Sequence, residues 1–234
     1  MRHVPPILPP PLPAGSQPTP VREATPSLGT GARIWLCRHA QVHSNFATLA
    51  YGDRDVPLSP EGLEQTAGLW EAFAKEPIGH VHASPLQRAK MLGEGVAERT
   101  GANFTVDPRL REISRGDWTM LERSEFQERW SAQAAEYHAD TYTWNGYRGE
   151  SDEDIYERVF PAFKEALVSA QGGTAFLAVH FNVVRVLLSR LLGVVPEESF
   201  LLPIQTAHAS LLIDEQDSWK LGAENVSEPT TPVS

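Results

Sequence analysis

Ile34-Trp35-Leu36-Cys37-Arg38-His39 is the stretch that decides the fold. Its first four residues make a short apolar run, the pattern of a strand covered on both faces. Arg38 and His39 stand where that strand ends. A second run, Thr174-Ala175-Phe176-Leu177-Ala178-Val179, ends the same way at His180. In an open α/β sheet, ligands bind at the carboxyl ends of the strands. Two strands that each deliver a histidine to that edge describe one site built from distant segments.

Outward from these two runs, strand-like and helix-like segments alternate. Strands are expected at 33–37, Ile78–Ala83, Asn103–Val106, Thr174–Val179 and 208–213. A helix is expected over 60–75, with Ser59 as its cap and Pro60 at the first helical position. Over 86–99, Leu86, Ala89, Leu92 and Val96 fall on one stripe, and Gly101 lies just past the end. A further helix is expected over 122–137, polar on one side. Ser151 and Asp154 form a capping box with a short acid ahead of 155–170. Phe181–Leu192 follows the second histidine and stops at Gly193. The alternation predicts an α/β fold, a three-layer α/β/α sandwich with a mostly parallel central sheet.

The 234 residues suffice for one α/β domain. Residues 1–30, with Pro5-Pro6, Pro9-Pro10-Pro11 and Pro13, read as an extended, solvated tail that cannot build a core. The polar segment 222–234 reads as a flexible C-terminal tail. That leaves 31–221 as the folded domain. The formal net charge of −10 argues against non-specific nucleic-acid binding. It leaves room for a small anionic substrate, because clustered arginines can make a positive cleft on an acidic protein. Cys37 is the single cysteine, so no disulfide within the chain and no cysteine-based zinc site is expected. Its apolar neighbours point to a packing role. No apolar run reaches the roughly 18–20 residues of a membrane span. Prolines interrupt every apolar stretch near the N-terminus, which removes a signal-peptide core. A cytoplasmic protein with no membrane partner is expected; a homodimer is left open.

The residues that carry chemistry are Arg38, His39, Arg88, Glu112 and His180. Val81-His82-Ala83 leads into Ser84-Pro85-Leu86-Gln87-Arg88, which places Arg88 in the first turn of a helix just beyond a strand. Helix N-termini attract anions, and an arginine there adds to the attraction. Glu112 precedes the turn-like Gly116-Asp117-Trp118. These residue types suit phosphoryl transfer. Arginine forks match phosphate oxygens, and a neutral imidazole can attack phosphorus. A carboxylic acid can protonate the leaving oxygen, and a protonated second histidine can stabilise the transferring group. No metal or other cofactor is required if arginines and histidine supply the positive charge.

In these segments the chain resembles the histidine phosphatase superfamily, also called phosphoglycerate mutase-like. The resemblance runs from about Ile34 to Ile213. Its elements are Arg38-His39-Ala40-Gln41-Val42-His43-Ser44-Asn45, the stretch from Tyr51 to Gly62, and Ala83-Ser84-Pro85-Leu86-Gln87-Arg88-Ala89. Leu110-Arg111-Glu112 with Gly116-Asp117-Trp118, Gly149-Glu150-Ser151 and Val179-His180 complete the set. The resemblance implies that His39 becomes phosphohistidine and that Arg38, Arg88 and His180 clamp the phosphate, helped by Asn45. It also implies that Glu112 protonates the leaving group and then activates water. The partner so implied is a small phosphorylated metabolite.

Two positions depart from the family pattern: Ala40 and Phe181 stand where glycine is usual. Alanine adds one methyl, whereas Phe181 either narrows the phosphate pocket or lines a substrate wall. Glu150 is read as ordering a loop or helix entry rather than as the acid. His43, His80, His82 and His138 are read as peripheral, and His208 as a lesser pocket candidate. Trp118, Trp130, Tyr142 and Trp144 either cap the site or cover core surface. The leading expectation is a metal-independent phosphomonoesterase of the compact phosphatase branch. The competing ones are a phosphoglycerate mutase, disfavoured by the modest interval between Glu112 and His180, and a weakly catalytic phospholigand-binding protein.

Overall fold

The protein is described by a computed structural model over residues 24–229. What was expected of residues 1–23 and 230–234 lies outside the described residues. The six strands are β1 (Arg33–Arg38), β2 (Ile78–Ala83), β3 (Asn103–Val106), β4 (Thr174–Val179), β5 (Ala209–Asp214) and β6 (Trp219–Val226). They lie in the order β3-β2-β4-β1-β5-β6. The pairs β1–β4, β2–β4 and β2–β3 are parallel, while β1–β5 and β5–β6 are antiparallel.

Helices cover both faces of the sheet. Alternation along β1 feeds both layers, since successive side chains of a strand point to opposite faces. Trp35 and Cys37 pack with Leu69 and Phe73 of α1 (Pro60–Phe73) and Leu92 and Val96 of α2 (Gln87–Thr100). Ile34 and Leu36 pack with Val159 and Phe163 of α5 (Asp152–Ser169) and Val183 and Leu187 of α6 (Phe181–Leu192). Burial pushes the Cys37 thiol upward, so it stays protonated and packs as an apolar group.

The expected caps form. The Ser59 hydroxyl accepts from the Gly62 amide at 2.9 Å. Ser151 and Asp154 make the reciprocal capping box of α5. Gly101 and Gly193 close α2 and α6 in the left-handed conformation. The expected helix over 122–137 is instead two, α3 (Arg123–Arg129) and α4 (Ser131–Ala139). The backbone leaves the helical region at Trp130, with φ −124° and ψ 25°. That break lets Trp130 and Tyr137 both pack on an aromatic cluster around Trp118, Tyr147 and Phe200.

Two stretches expected within the tails, 25–30 and 222–226, are instead part of the fold. The segment from Thr25 to Thr30 is held on the domain by polar bonds. The Asp214 carboxylate accepts from the amides of Leu28 and Thr30, each at 2.8 Å, and from the Ser27 hydroxyl at 2.7 Å. The Thr25 amide donates to the Arg190 carbonyl at 2.7 Å. At the other end the chain continues through Val226 as edge strand β6. Its half-exposed, alternating side chains look polar in sequence, as an edge strand's do. Among the described residues no helix is long and apolar enough to cross a membrane.

Candidate active site

The register of β1 and β4 builds the floor of the site. Arg38 pairs with Val179, and the His39 amide donates to the Val179 carbonyl at 3.0 Å. His39 and His180 therefore leave neighbouring strands side by side, with ring centroids 5.2 Å apart. Both are fully buried.

His39 Nδ1 lies 2.7 Å from the Ala40 carbonyl oxygen. A carbonyl only accepts, so Nδ1 carries the proton and the lone pair is on Nε2. That Nε2 accepts from Arg88 Nε at 3.3 Å. Burial first, then the charges of Arg88 and Arg38, hold the His39 pKa well below the ordinary imidazole value. His39 is thus a neutral nitrogen base fixed in one tautomer.

Arg88 stands in the first turn of α2, as expected. Its Nη1 and Nη2 donate to the carbonyls of Arg54 at 2.7 Å and Gly52 at 3.0 Å, and its guanidinium lies 5.2 Å from the centre of the Tyr51 ring. Arg38 donates to the Ile204 carbonyl at 2.7 Å and sits 5.2 Å over the Phe181 ring. Phe181 therefore lines a wall and carries Arg38 on its face. Ala40 is buried in the core and lacks positive φ, so the extra methyl is unstrained.

Glu112 is buried in the wall of the cleft. Its oxygens accept from the Ile113 amide at 2.9 Å and the Asn182 amide at 3.3 Å. Glu150 orders that loop: it binds Arg111 and Arg158 at 2.7 Å each and the Ser114 amide at 2.8 Å. This fits the loop-ordering role expected of Glu150.

His180 differs from expectation. Burial first, then Arg88, His39 and two further guanidiniums, hold its pKa well below the ordinary value, so the ring is neutral rather than protonated. Its Nε2 lies 2.7 Å from the Ser84 hydroxyl. Ser84 was quoted only as part of a motif. It stands one residue past β2, at the same sheet edge, and that placement was a signal for a role in the site.

The structure brings together Arg38, His39, Arg88, Glu112 and His180. Asn45 is exposed on the turn Ser44–Phe46, and no hydrogen bond from its side chain reaches the group. Nor is His208 in the pocket: its ring bonds the Thr206 carbonyl at 2.9 Å. Beside the histidines opens a cavity of about 90 Å³, lined by Tyr51, Gly52, Glu112, Arg115, Phe181 and Phe200 among others. The aromatic cluster reaches this wall through Phe181 and Phe200, so it is both a small core and a support for the cleft. Among the described residues, no group of three or more His, Cys, Asp or Glu side chains is arranged to hold a metal ion.

A floor of two histidines clamped by guanidiniums, at the carboxyl edge of such a sheet, defines a class of phosphomonoester-processing enzymes. The chain belongs to the histidine phosphatase superfamily, branch 1, whose profile it matches over residues 34–227. It is 29% identical to the Probable phosphoglycerate mutase GpmB of Salmonella arizonae over 86% of this chain and 94% of that one. A mycobacterial glucosyl-3-phosphoglycerate phosphatase has a similar structure. The TM-score is 0.73 at 26% identity, covering 84% of this chain and all of that one. The alpha-ribazole phosphatase from Shigella flexneri shares the fold, with a TM-score of 0.72, 24% identity, and coverage of 85% and 98% of the two chains.

Proposed function

We propose that the chain hydrolyses phosphomonoesters of small metabolites without a metal, through phosphohistidine on His39. The observation that carries this is the fixed tautomer of His39, which leaves Nε2 as a lone-pair donor beside Arg88 and His180. Nε2 attacks phosphorus, and the ester P–O bond breaks. The leaving oxygen takes its proton from Glu112. The resulting carboxylate then takes a proton from water, whose oxygen attacks phosphorus. The P–N bond breaks and neutral His39 returns. Arg38 and Arg88 balance the phosphoryl charge throughout. The dianion also reverses the field at His180, which favours its protonated form while substrate is bound. Asn45 joins this clamp when the turn that carries it closes on the phosphate. The folded unit takes in residues 24–226, works in the cytoplasm and engages neither nucleic acid nor membrane.

Phosphate release from an aryl phosphate and a metabolite panel, with chelator present, tests this in wild type and His39→Ala. Release that resists chelator and is lost in the variant is expected. A folded wild type that releases nothing, or a variant that still works, overturns the proposal. The name of the curated relative supports a second reading, a phosphoglycerate mutase. Transfer of phosphate between two positions of phosphoglycerate, with none lost to water, would establish that reading.

A further inference from the structure

We infer that Ser84 is a positioning residue: its hydroxyl decides which nitrogen of His180 meets the phosphoryl group, and puts a hydrogen on that nitrogen. This rests on the phosphohistidine reading and adds to it a residue that acts through His180. Both side chains are fully buried, with His180 Nε2 2.7 Å from Ser84 Oγ. The Nδ1 of His180 is also buried and has no partner among the described residues. With Nε2 taken up by Ser84, Nδ1 is the nitrogen left for a phosphoryl group bound beside the two histidines.

The direction of the bond follows from the surroundings of Ser84. Its amide donates to the Ala178 carbonyl at 3.0 Å, which pins it to β4, the strand that leads into His180. Its Oγ accepts from the Leu86 amide at 3.3 Å. Among the described residues, Nε2 is the one acceptor within reach of the hydroxyl hydrogen. If Nε2 donated instead, that buried hydrogen would lose its bond, and its desolvation would go uncompensated. The hydroxyl therefore donates, Nε2 accepts, and the neutral ring carries its hydrogen on Nδ1. His39 carries its hydrogen on Nδ1 too, but there the Ala40 carbonyl takes it and Nε2 keeps its lone pair for phosphorus. One tautomer, held at opposite ends, gives a nucleophile after β1 and a hydrogen-bond donor after β4. The same hydroxyl can accept from Nε2 when the ring is charged, so the Nδ1 hydrogen stays in place in both states.

Nitrogen-15 spectra of the free, histidine-labelled wild type test this without substrate. Burial and the nearby guanidiniums keep the ring neutral, so one nitrogen bears hydrogen and the other a lone pair, and their shifts differ widely. His180→Gln identifies the signals of His180. Hydrogen on Nδ1 is expected; hydrogen on Nε2 overturns the proposal. Ser84→Ala should lower kcat for phenyl phosphate about tenfold, the worth of one misplaced hydrogen bond. In a His180→Gln background the same substitution should cost less than about twofold, because a residue that acts through His180 has nothing left to act on. An equal loss in the two backgrounds, or an undiminished kcat in Ser84→Ala, overturns the proposal. If phosphate is released in those cases, the phosphatase reading stands without Ser84. If wild type releases none, that reading fails. Ser84 is then decided by the spectrum and by the same comparison of Kd for inorganic phosphate.

Discussion

Two histidine pairs lie on this sheet, and they are not equivalent. His39 and His180 stand at the carboxyl edge of β1 and β4, 5.2 Å apart. His80 and His82 lie on one face of β2, 4.6 Å apart. Burial is the first cause of a lowered pKa in all four. What separates the pairs is the company they keep. The first has Arg38 and Arg88 without carboxylate partners and Glu112 in the adjoining wall. The second has Thr105, bonded to His80 at 2.9 Å, and two carboxylates, Asp107 and Glu165, both already held by Arg109. Buried histidines become a site where unpaired cations and an acid converge on them; proximity alone does not make one.

The sharpest way to break this contrast is His39→Ala. Activity is expected to fall more than about 10³-fold, beyond the cost of one charge-stabilising group, because the bond-forming atom is gone. Steady-state kinetics with an aryl phosphate measure it. Wild type also makes a pH prediction. The nucleophile works as the neutral ring, and its pKa is held well below 6.5. Lowering the pH through 6.5 therefore leaves His39 unprotonated, and the acid limb that this residue gives to kcat/KM lies well below that value. An acid limb centred at an ordinary imidazole pKa, absent any other titrating group, would contradict the assignment.

Next in size are Arg88→Ala and Glu112→Gln. Each is expected to lower kcat by about 10²–10³-fold, the usual loss for one stabilising or proton-transferring group. Glu112→Gln should recover most with a leaving group so acidic that it needs no proton. A smaller effect is expected from Phe181→Gly. It removes the ring beneath Arg38, an interaction of about 1–2 kcal/mol, so KM for an aryl phosphate should rise roughly tenfold. If KM falls instead, Phe181 narrows the phosphate pocket and the glycine usual in the family fits better.

The contrast between the pairs also shows what was legible in the sequence. Apolar runs ending in histidine gave β1, β4 and the floor of the site, because a doubly covered strand has no polar face to blur the pattern. Arg88 was legible from the junction of a strand with a helix start. The state of His180 was not, since it depends on guanidiniums that only the fold brings near. Arg115 carries no motif, and its place in the cleft wall follows from a loop conformation. The edge strand β6 was missed because its exposed face is polar. The anchored segment from Thr25 to Thr30 was missed because Asp214 holds it by hydrogen bonds, which leave no hydrophobic signature.

The smallest effect tests the second pair. His82→Leu should leave kcat/KM within about twofold, as its ring lies near His80, Asp107 and Glu165 and does not line the cleft. Its effect belongs to stability. His82 is buried, neither ring nitrogen has a hydrogen-bond partner, and its pKa is lowered to about 4. In the unfolded chain the same ring titrates near 6.5. Between those values the unfolded state binds the proton and the folded state does not, so stability falls as pH drops from 6.5 toward 4. The slope from this one group is at most about 1.4 kcal/mol per pH unit. Above 6.5 both states are neutral and the term vanishes. Urea unfolding of wild type and His82→Leu at several pH values isolates it, because the other groups titrate alike in both proteins. The variant should gain on wild type steadily as pH falls through that window. A constant difference would mean that His82 takes up its proton in the fold, and the distinction between the two pairs would then rest on their charged neighbours alone.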